Sequence, residues 1–231
     1  MRFEPMEITD KLGRSVILRN AEISDAENLM RYLKTTTAET PFLIREPDEV
    51  CLTLEEEQAF IQRCMDNPKA LMLIATIDGQ HIGNCSLMSV GSYRRYSHRC
   101  EIAIALYQKY CGAGIGEIML QTILSVAKQT GYEQAELEVI CDNTNAIALY
   151  EKLGFKKYGT FPHNMKYADG RYADAYWMMK QLQNCLNKQE RHIIKICLSA
   201  FLLGITAYVR CYLFKYSTNL SNAACPSGVL L

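Results

Sequence analysis

Apolar and polar positions along this chain change period several times, and each change marks a predicted element. Val16 and Leu18 alternate with polar neighbours as a short first strand. Ser24-x-x-Glu27 reads as a capping box opening a helix through about Leu33, and Thr53-x-x-Glu56 as a second one preceding Phe60, Ile61 and Cys64 at helical spacing. Pro41 and Pro47 punctuate a long loop between them, from Thr37 to Leu52, of the kind that forms substrate walls. Residues 71–77, Asp78-Gly79 and residues 81–87 predict a hairpin, because Asp-Gly suits the positive-φ turn that matches strand twist. Residues 99–106 alternate as another strand, with Glu101, Ala103 and Ala105 on one side and Cys100, Ile102, Ile104 and Leu106 on the other.

Further on, the period becomes helical. Ile115, Ile118, Met119, Ile123, Val126 and Ala127 form an apolar stripe that ends at Gly131. Residues 135–140 read as a strand, and Asn143, Thr144 or Asn145 caps a short helix stopped by Gly154. A terminal strand pair follows at 155–160 and 173–179, with Asp169-Gly170 near its turn. This alternation of elements predicts a mixed α/β domain over residues 1–183. From about Gln183 acids nearly vanish, and an apolar run spans 196–209, so 184–231 reads as a C-terminal extension. That run is short of the roughly 20 residues that cross a bilayer, so a packing or interfacial helix is favoured over membrane contact through 193–214.

With 231 residues, 49% of them hydrophobic and 22% charged, the chain can build a sizeable core. A formal net charge of zero removes any general pull toward nucleic acid. The ten cysteines form no CxxC pair or Cys/His cluster, so they read as reduced, mostly buried thiols in a cytoplasmic protein. The histidines lack ligand spacing, and no metal is expected. Tyr93 to Arg99 looks like a basic aromatic patch, read first as a solvated hairpin loop.

The segment with the most chemical content is Cys111-Gly112-Ala113-Gly114-Ile115-Gly116, a glycine-rich turn between a strand and a helix. Glycines there permit positive φ and close approach of a phosphate, and the following helix offers unpaired N–H groups and its positive dipole end. A plain tight turn would use the same residues. No Gly-Lys-Ser/Thr follows, which excludes a nucleotide P-loop, and the spacing is not the G-x-G-x-x-G of a dinucleotide site. Glu136 and Glu138 nevertheless lie where a ribose-binding acid would be sought, which keeps a dinucleotide oxidoreductase as a third reading.

The stretch from Glu101 to Met179 resembles the GNAT superfamily of acyl-CoA-dependent N-acetyltransferases. The family's CoA loop, Gln/Arg-x-x-Gly-x-Gly/Ala, matches Cys111-x-x-Gly114-x-Gly116, with cysteine in place of the first residue. Asn143-x-x-Ala146-x-x-Leu149-Tyr150-x-x-x-Gly154-Phe155 matches a second family pattern. Gly170-Arg171-Tyr172-x-Asp174 resembles branches acting on protein N-termini or polyamines.

The resemblance implies a mostly antiparallel sheet splayed at its centre, with helices on both faces and pantetheine lying in the gap. It implies an N-acetyltransferase that moves acetyl from acetyl-CoA to an amine, a small molecule or a protein N-terminus, by direct attack; a homodimer is compatible with it. By resemblance, Ile104, Leu106, Cys111 to Gly116, Asn143 and Tyr150 contact the cofactor, and the Leu106 N–H lies near the thioester oxygen. Tyr150 is the implied acid toward the CoA thiolate, set against a core tyrosine. Glu101 is a candidate base, set against an ion pair with Arg99 or a solvent-facing strand position, and helix capping alone would explain Asn143. The alternative function is a catalytically weak acyl-CoA-binding or sensor module, kept open by Cys111.

Overall fold

The computed structural model describes residues 1–182; the extension expected at 184–231, its apolar run at 196–209 and the membrane contact considered for 193–214 lie outside the described residues. Eight strands form one sheet in the order β1-β2-β3-β4-β5-β6-β8-β7. They are β1 (Met6–Thr9), β2 (Ser15–Asn20), β3 (Leu71–Ile77), β4 (Gln80–Ser89), β5 (Arg99–Leu106), β6 (Gln134–Ile140), β7 (Lys156–Lys166) and β8 (Tyr172–Gln181). Four helices accompany them: α1 (Ala26–Glu39), α2 (Leu54–Asp66), α3 (Ile115–Gln129) and α4 (Thr144–Lys152). Every strand pairing is antiparallel except β5 with β6.

The sheet is buried on both sides at its centre. Leu71, Leu73, Cys85, Leu87, Cys100 and Ile102 pack with Met119, Ile123 and Tyr150 of α3 and α4, while Met72 and Ile74 pack with Leu29 of α1 and Ile61 of α2. The β3–β4 hairpin turns at Asp78 (φ 49°) and Gly79 (φ 75°), the positive-φ pair that its Asp-Gly sequence predicts. The second capping box is present as read: Thr53 Oγ1 accepts from the Glu56 N–H (3.2 Å) and Glu56 accepts from the Thr53 N–H (2.9 Å).

Several expected boundaries move, each for a local reason. An additional strand, β1, precedes the one expected at Val16 and Leu18; it is a short edge strand whose alternation covers only four residues. The first helix is not capped by Ser24 and Glu27. Asp25 is held by Arg19 (2.7 and 2.9 Å) and by the Glu22 N–H (2.8 Å), so Ile23–Asp25 forms a tight 3-10 turn and α1 starts at Ala26. That helix runs past Leu33 to Glu39 with Tyr32, Thr36 and Thr37 buried, the hydroxyls of Thr35, Thr36 and Thr37 satisfied by the carbonyls of Arg31, Tyr32 and Leu33 (2.9 Å each); it stops at extended Thr40, before Pro41. Strand β7 extends beyond Thr160 to Lys166 because the sheet absorbs Pro162 in an irregularity between Phe161 and Met165. Of the six described cysteines, Cys64, Cys85 and Cys100 are buried, but Cys51 and Cys111 are exposed and Cys141 is intermediate.

Candidate active site

Strands β5 and β6 share only three register positions, Arg99 with Gln134, Cys100 with Ala135 and Glu101 with Glu136, and then part. The direction of the freed backbone groups follows from ladder alternation. The Tyr107 N–H donates to Ile82 O (3.1 Å), so in register with it Ala105 and Ala103 are tied to β4, while Ile102, Ile104 and Leu106 aim their N–H and C=O groups away, toward the opening. On the other side, the Cys141 N–H donates to Asp174 O (2.9 Å) and the Leu182 N–H to Glu133 O (2.8 Å). The odd residues of β6 are therefore tied to β8, and Glu138 and Ile140 turn their backbone groups to the same opening. A wedge with two unpaired strand edges results.

The glycine turn lies at the end of β5. Gly112 and Gly114 take φ 81° and 84°, and Gly114 stands immediately before α3. Among the described residues, the N–H groups from Gly112 through Glu117 have no hydrogen-bond acceptor, whereas the next one, on Ile118, donates to Gly114 O (3.3 Å). They are the orphan donors of a helix start, gathered where a glycine-rich chain leaves space. A Cβ on Gly116 would stand 3.4 Å from Leu106 Cδ1, 3.7 Å from Ile104 Cδ1 and 3.9 Å from Leu149 Cδ2, so this glycine is where α3, β5 and α4 meet. A phosphate-bearing group fits this cradle. Cys111 brings no charge: partial desolvation of its thiol and the nearby Glu39 carboxylate both push its pKa up.

Tyr150 points from α4 into the core on the α3/α4 side of the sheet and is 8% exposed. Its ring meets Phe155 edge-on at 5.9 Å, its hydroxyl has no hydrogen-bond partner among the described residues, and burial raises its pKa. Asn143 caps α4: its side-chain oxygen accepts from the Ala146 N–H at 3.2 Å.

Glu101 lies on the opposite, α1/α2 side, exposed, at the last position before the strands part. Arg99 does not pair with it. The Arg99 guanidinium takes Glu136 through both Nε and Nη2, and although burial alone would raise the Glu136 carboxyl, that pairing and the Gln134 amide hold it below the usual range. Glu138 accepts from Trp177 Nε1 (2.8 Å). The two acids sought for a ribose are thus engaged elsewhere, on the face away from α3. In the β4–β5 connection Tyr93 is 76% exposed, as a solvated loop requires.

Sequence reading had no signal for the support beneath β5. The buried Tyr32 of α1 donates its hydroxyl to Ala105 O (2.8 Å), and His81 and Tyr107 pack edge-on against its ring at 4.8 and 5.3 Å. Both His81 ring nitrogens are buried without a partner, and burial pushes its pKa down from 6.5 to about 4, with Asp25 partly opposing. Between those two values the unfolded chain takes up a proton that the folded chain refuses, so stability falls as pH drops through that window. Chemical denaturation at pH 7 and pH 4.5 should show that loss, and His81→Leu should reduce it by roughly 2 kcal/mol. An identical pH dependence in the two proteins would remove His81 from this account.

The sequence model of the acetyltransferase (GNAT) family matches residues 31–155. An L-amino acid N-acetyltransferase of Escherichia coli is 27% identical over 71% of this chain and 97% of its own length. An N-alpha-acetyltransferase of Saccharolobus solfataricus is 31% identical over 77% of this chain and all of its own (100%). Among solved structures, a GNAT-family acetyltransferase from Streptococcus pneumoniae superposes with a TM-score of 0.69 at 26% identity, covering 72% of this chain and 99% of that one. A phosphinothricin acetyltransferase from Sinorhizobium meliloti in complex with acetyl-CoA has the same fold, with a TM-score of 0.64 at 19% identity over 72% of this chain and 88% of its own.

Proposed function

The chain belongs to the acetyltransferase (GNAT) family, and on that premise we propose that it transfers an acetyl group from acetyl-CoA to a primary amine by direct attack, with no covalent enzyme intermediate. The observation that carries the reading is the row of free N–H groups from Gly112 to Glu117 beside the wedge between β5 and β6. Those amides, with the α3 dipole behind them, suit a pyrophosphate. The edge groups of Ile104 and Leu106 suit the amides of a pantetheine arm, as they would suit an added strand.

When bound, the thioester supplies an activated acyl carbon and a sulfur leaving group. The Leu106 N–H is the proposed donor to the oxygen on which negative charge grows. Tyr150 is the proposed partner of the departing sulfur. Because burial raises its pKa, the phenol keeps its proton at working pH and stabilises the thiolate first as a hydrogen-bond donor. Asn143 acts through its cap, fixing the start of the helix that carries Tyr150.

The amine is proposed to arrive from the α1/α2 side, where the small Ala103 and Ala105 leave room and the Glu101 carboxylate stands at the fork. Glu101 then receives the ammonium proton, directly or through water, before attack. The relatives, one an L-amino acid N-acetyltransferase and one an N-alpha-acetyltransferase, support an α-amine as acceptor.

Release of free thiol from acetyl-CoA over a panel of amino acids, peptides with free N-termini and polyamines tests this reading. At least one α-amine should accelerate release, and Glu101→Gln should lower kcat/KM for it by about 100-fold. Binding of acetyl-CoA without turnover on any amine would favour the sensor-module reading instead, to which the uncharged Cys111 lends support.

A further inference from the structure

The loop at residues 111–116 contains no cationic side chain, yet one reaches it from a distant part of the chain. The β1–β2 turn docks on the glycine loop through the Lys11 N–H, which donates to Ala113 O at 2.9 Å. Asp10 makes that turn rigid: its carboxylate accepts the N–H groups of Leu12 and Arg14 at 2.9 Å each, and Gly13 supplies the positive φ of 78° that closes it. The Lys11 stem lies along Gly114. A Cβ there would stand 3.1 Å from Lys11 Cε, 3.2 Å from its Cγ and 3.4 Å from its Cδ. The ammonium therefore sits one bond beyond a carbon that lies where a side chain on Gly114, the residue just before α3, would stand.

Neighbouring cations are otherwise engaged. Arg14 is paired with Asp10 at 2.7 Å and lies over the Tyr110 ring at 5.3 Å, and the Lys109 ammonium lies over the same ring at 5.0 Å. Lys11 is exposed and forms no ion pair among the described residues. Backbone amides supply only partial charges to a pyrophosphate, whereas an ammonium adds a full one and its three donors.

We propose that Lys11 is a cofactor-binding residue, its ammonium held over the start of α3 by the β1–β2 turn to contact the pyrophosphate of acetyl-CoA and to supply the charge that Cys111 lacks. The inference rests on the proposed acetyl-CoA reading. It explains why a turn so far upstream in the chain is docked onto the glycine loop. It also gives Gly114 a second reason to be glycine, since a side chain there would displace the Lys11 stem.

Calorimetric titration of the full chain with acetyl-CoA and with its 3′-dephospho analogue tests it. Lys11→Met, which keeps the stem and removes the charge, should weaken both ligands by about five- to twentyfold and flatten the salt dependence of binding. Lys11→Arg should stay within about threefold of wild type, and Lys11→Glu should bind more weakly than Lys11→Met. Lys109→Met should change affinity less than about twofold. The assignment is overturned if Lys11→Met binds as wild type does, if its loss vanishes with the dephospho analogue, which would move the contact to the 3′-phosphate, or if Lys109→Met loses as much. A wild-type chain with no affinity for acetyl-CoA would overturn the parent reading and this inference together; normal wild-type binding with an unaffected Lys11→Met would overturn this inference alone.

Discussion

Gly114→Val should lower acetyl-CoA affinity by at least about 100-fold while leaving a folded protein. Valine is poorly suited to φ 84°, and its Cβ would be pressed against Lys11 stem atoms 3.1 to 3.4 Å away. The branched side chain would also stand over the free amides that the proposed pyrophosphate needs. Part of the strain is relieved by moving the flexible lysine, so the larger effect falls on binding. Gly131→Val is the matched control: it has φ 89°, with nothing within 4 Å of an added Cβ, and sits at the far end of the same helix. It should cost about 1–2 kcal/mol of stability and leave affinity unchanged. Equal affinities for the two variants would show that the loop's conformation, and not its amides, is all that the glycines serve.

Tyr150→Phe should reduce kcat by about 100-fold with little change in acetyl-CoA affinity. The ring is packed against Phe155, but the hydroxyl has no partner to lose among the described residues. Removing it should therefore leave stability within about 0.5 kcal/mol. A purely structural tyrosine would give the opposite pattern, an altered melting temperature with an unaltered turnover. Rapid-mixing measurement of thiol release at saturating acetyl-CoA separates the two, and an unchanged rate would leave the departing sulfur without a named proton donor.

How much of this was legible in the letters follows from how local each determinant is. The Asp78-Gly79 turn, the Thr53 and Glu56 box, the β5 alternation and the Gly112 to Gly116 cradle are each set by residues within a few positions of one another, and each appears where the pattern puts it. The family patterns around Gly114 and Tyr150 then brought the opened sheet with them. What escaped depends on side-chain contacts that no periodic pattern carries. Asp25 gave its carboxylate to Arg19 and so displaced the expected cap; burial of Tyr32, Thr36 and Thr37 carries α1 on where its apolar stripe had ended; and pairing with β8 carries β7 past Phe161 to Lys166. The site divides in the same way. Tyr150 and the glycine loop carry a motif, whereas Tyr32 under Ala105 and Lys11 beside Gly114 are brought there only by tertiary folding. Glu101 could be placed on a strand face from alternation, but its position at the fork depends on where β5 leaves β6.

The most direct measurement is amide hydrogen exchange across the glycine loop, because these donors are unprotected in the structure and are the groups proposed to hold the cofactor. Saturating acetyl-CoA should slow exchange in peptides spanning 112–117, more than in the β3–β4 hairpin at 71–89. Exchange across 112–117 that is the same with and without saturating acetyl-CoA would contradict the account.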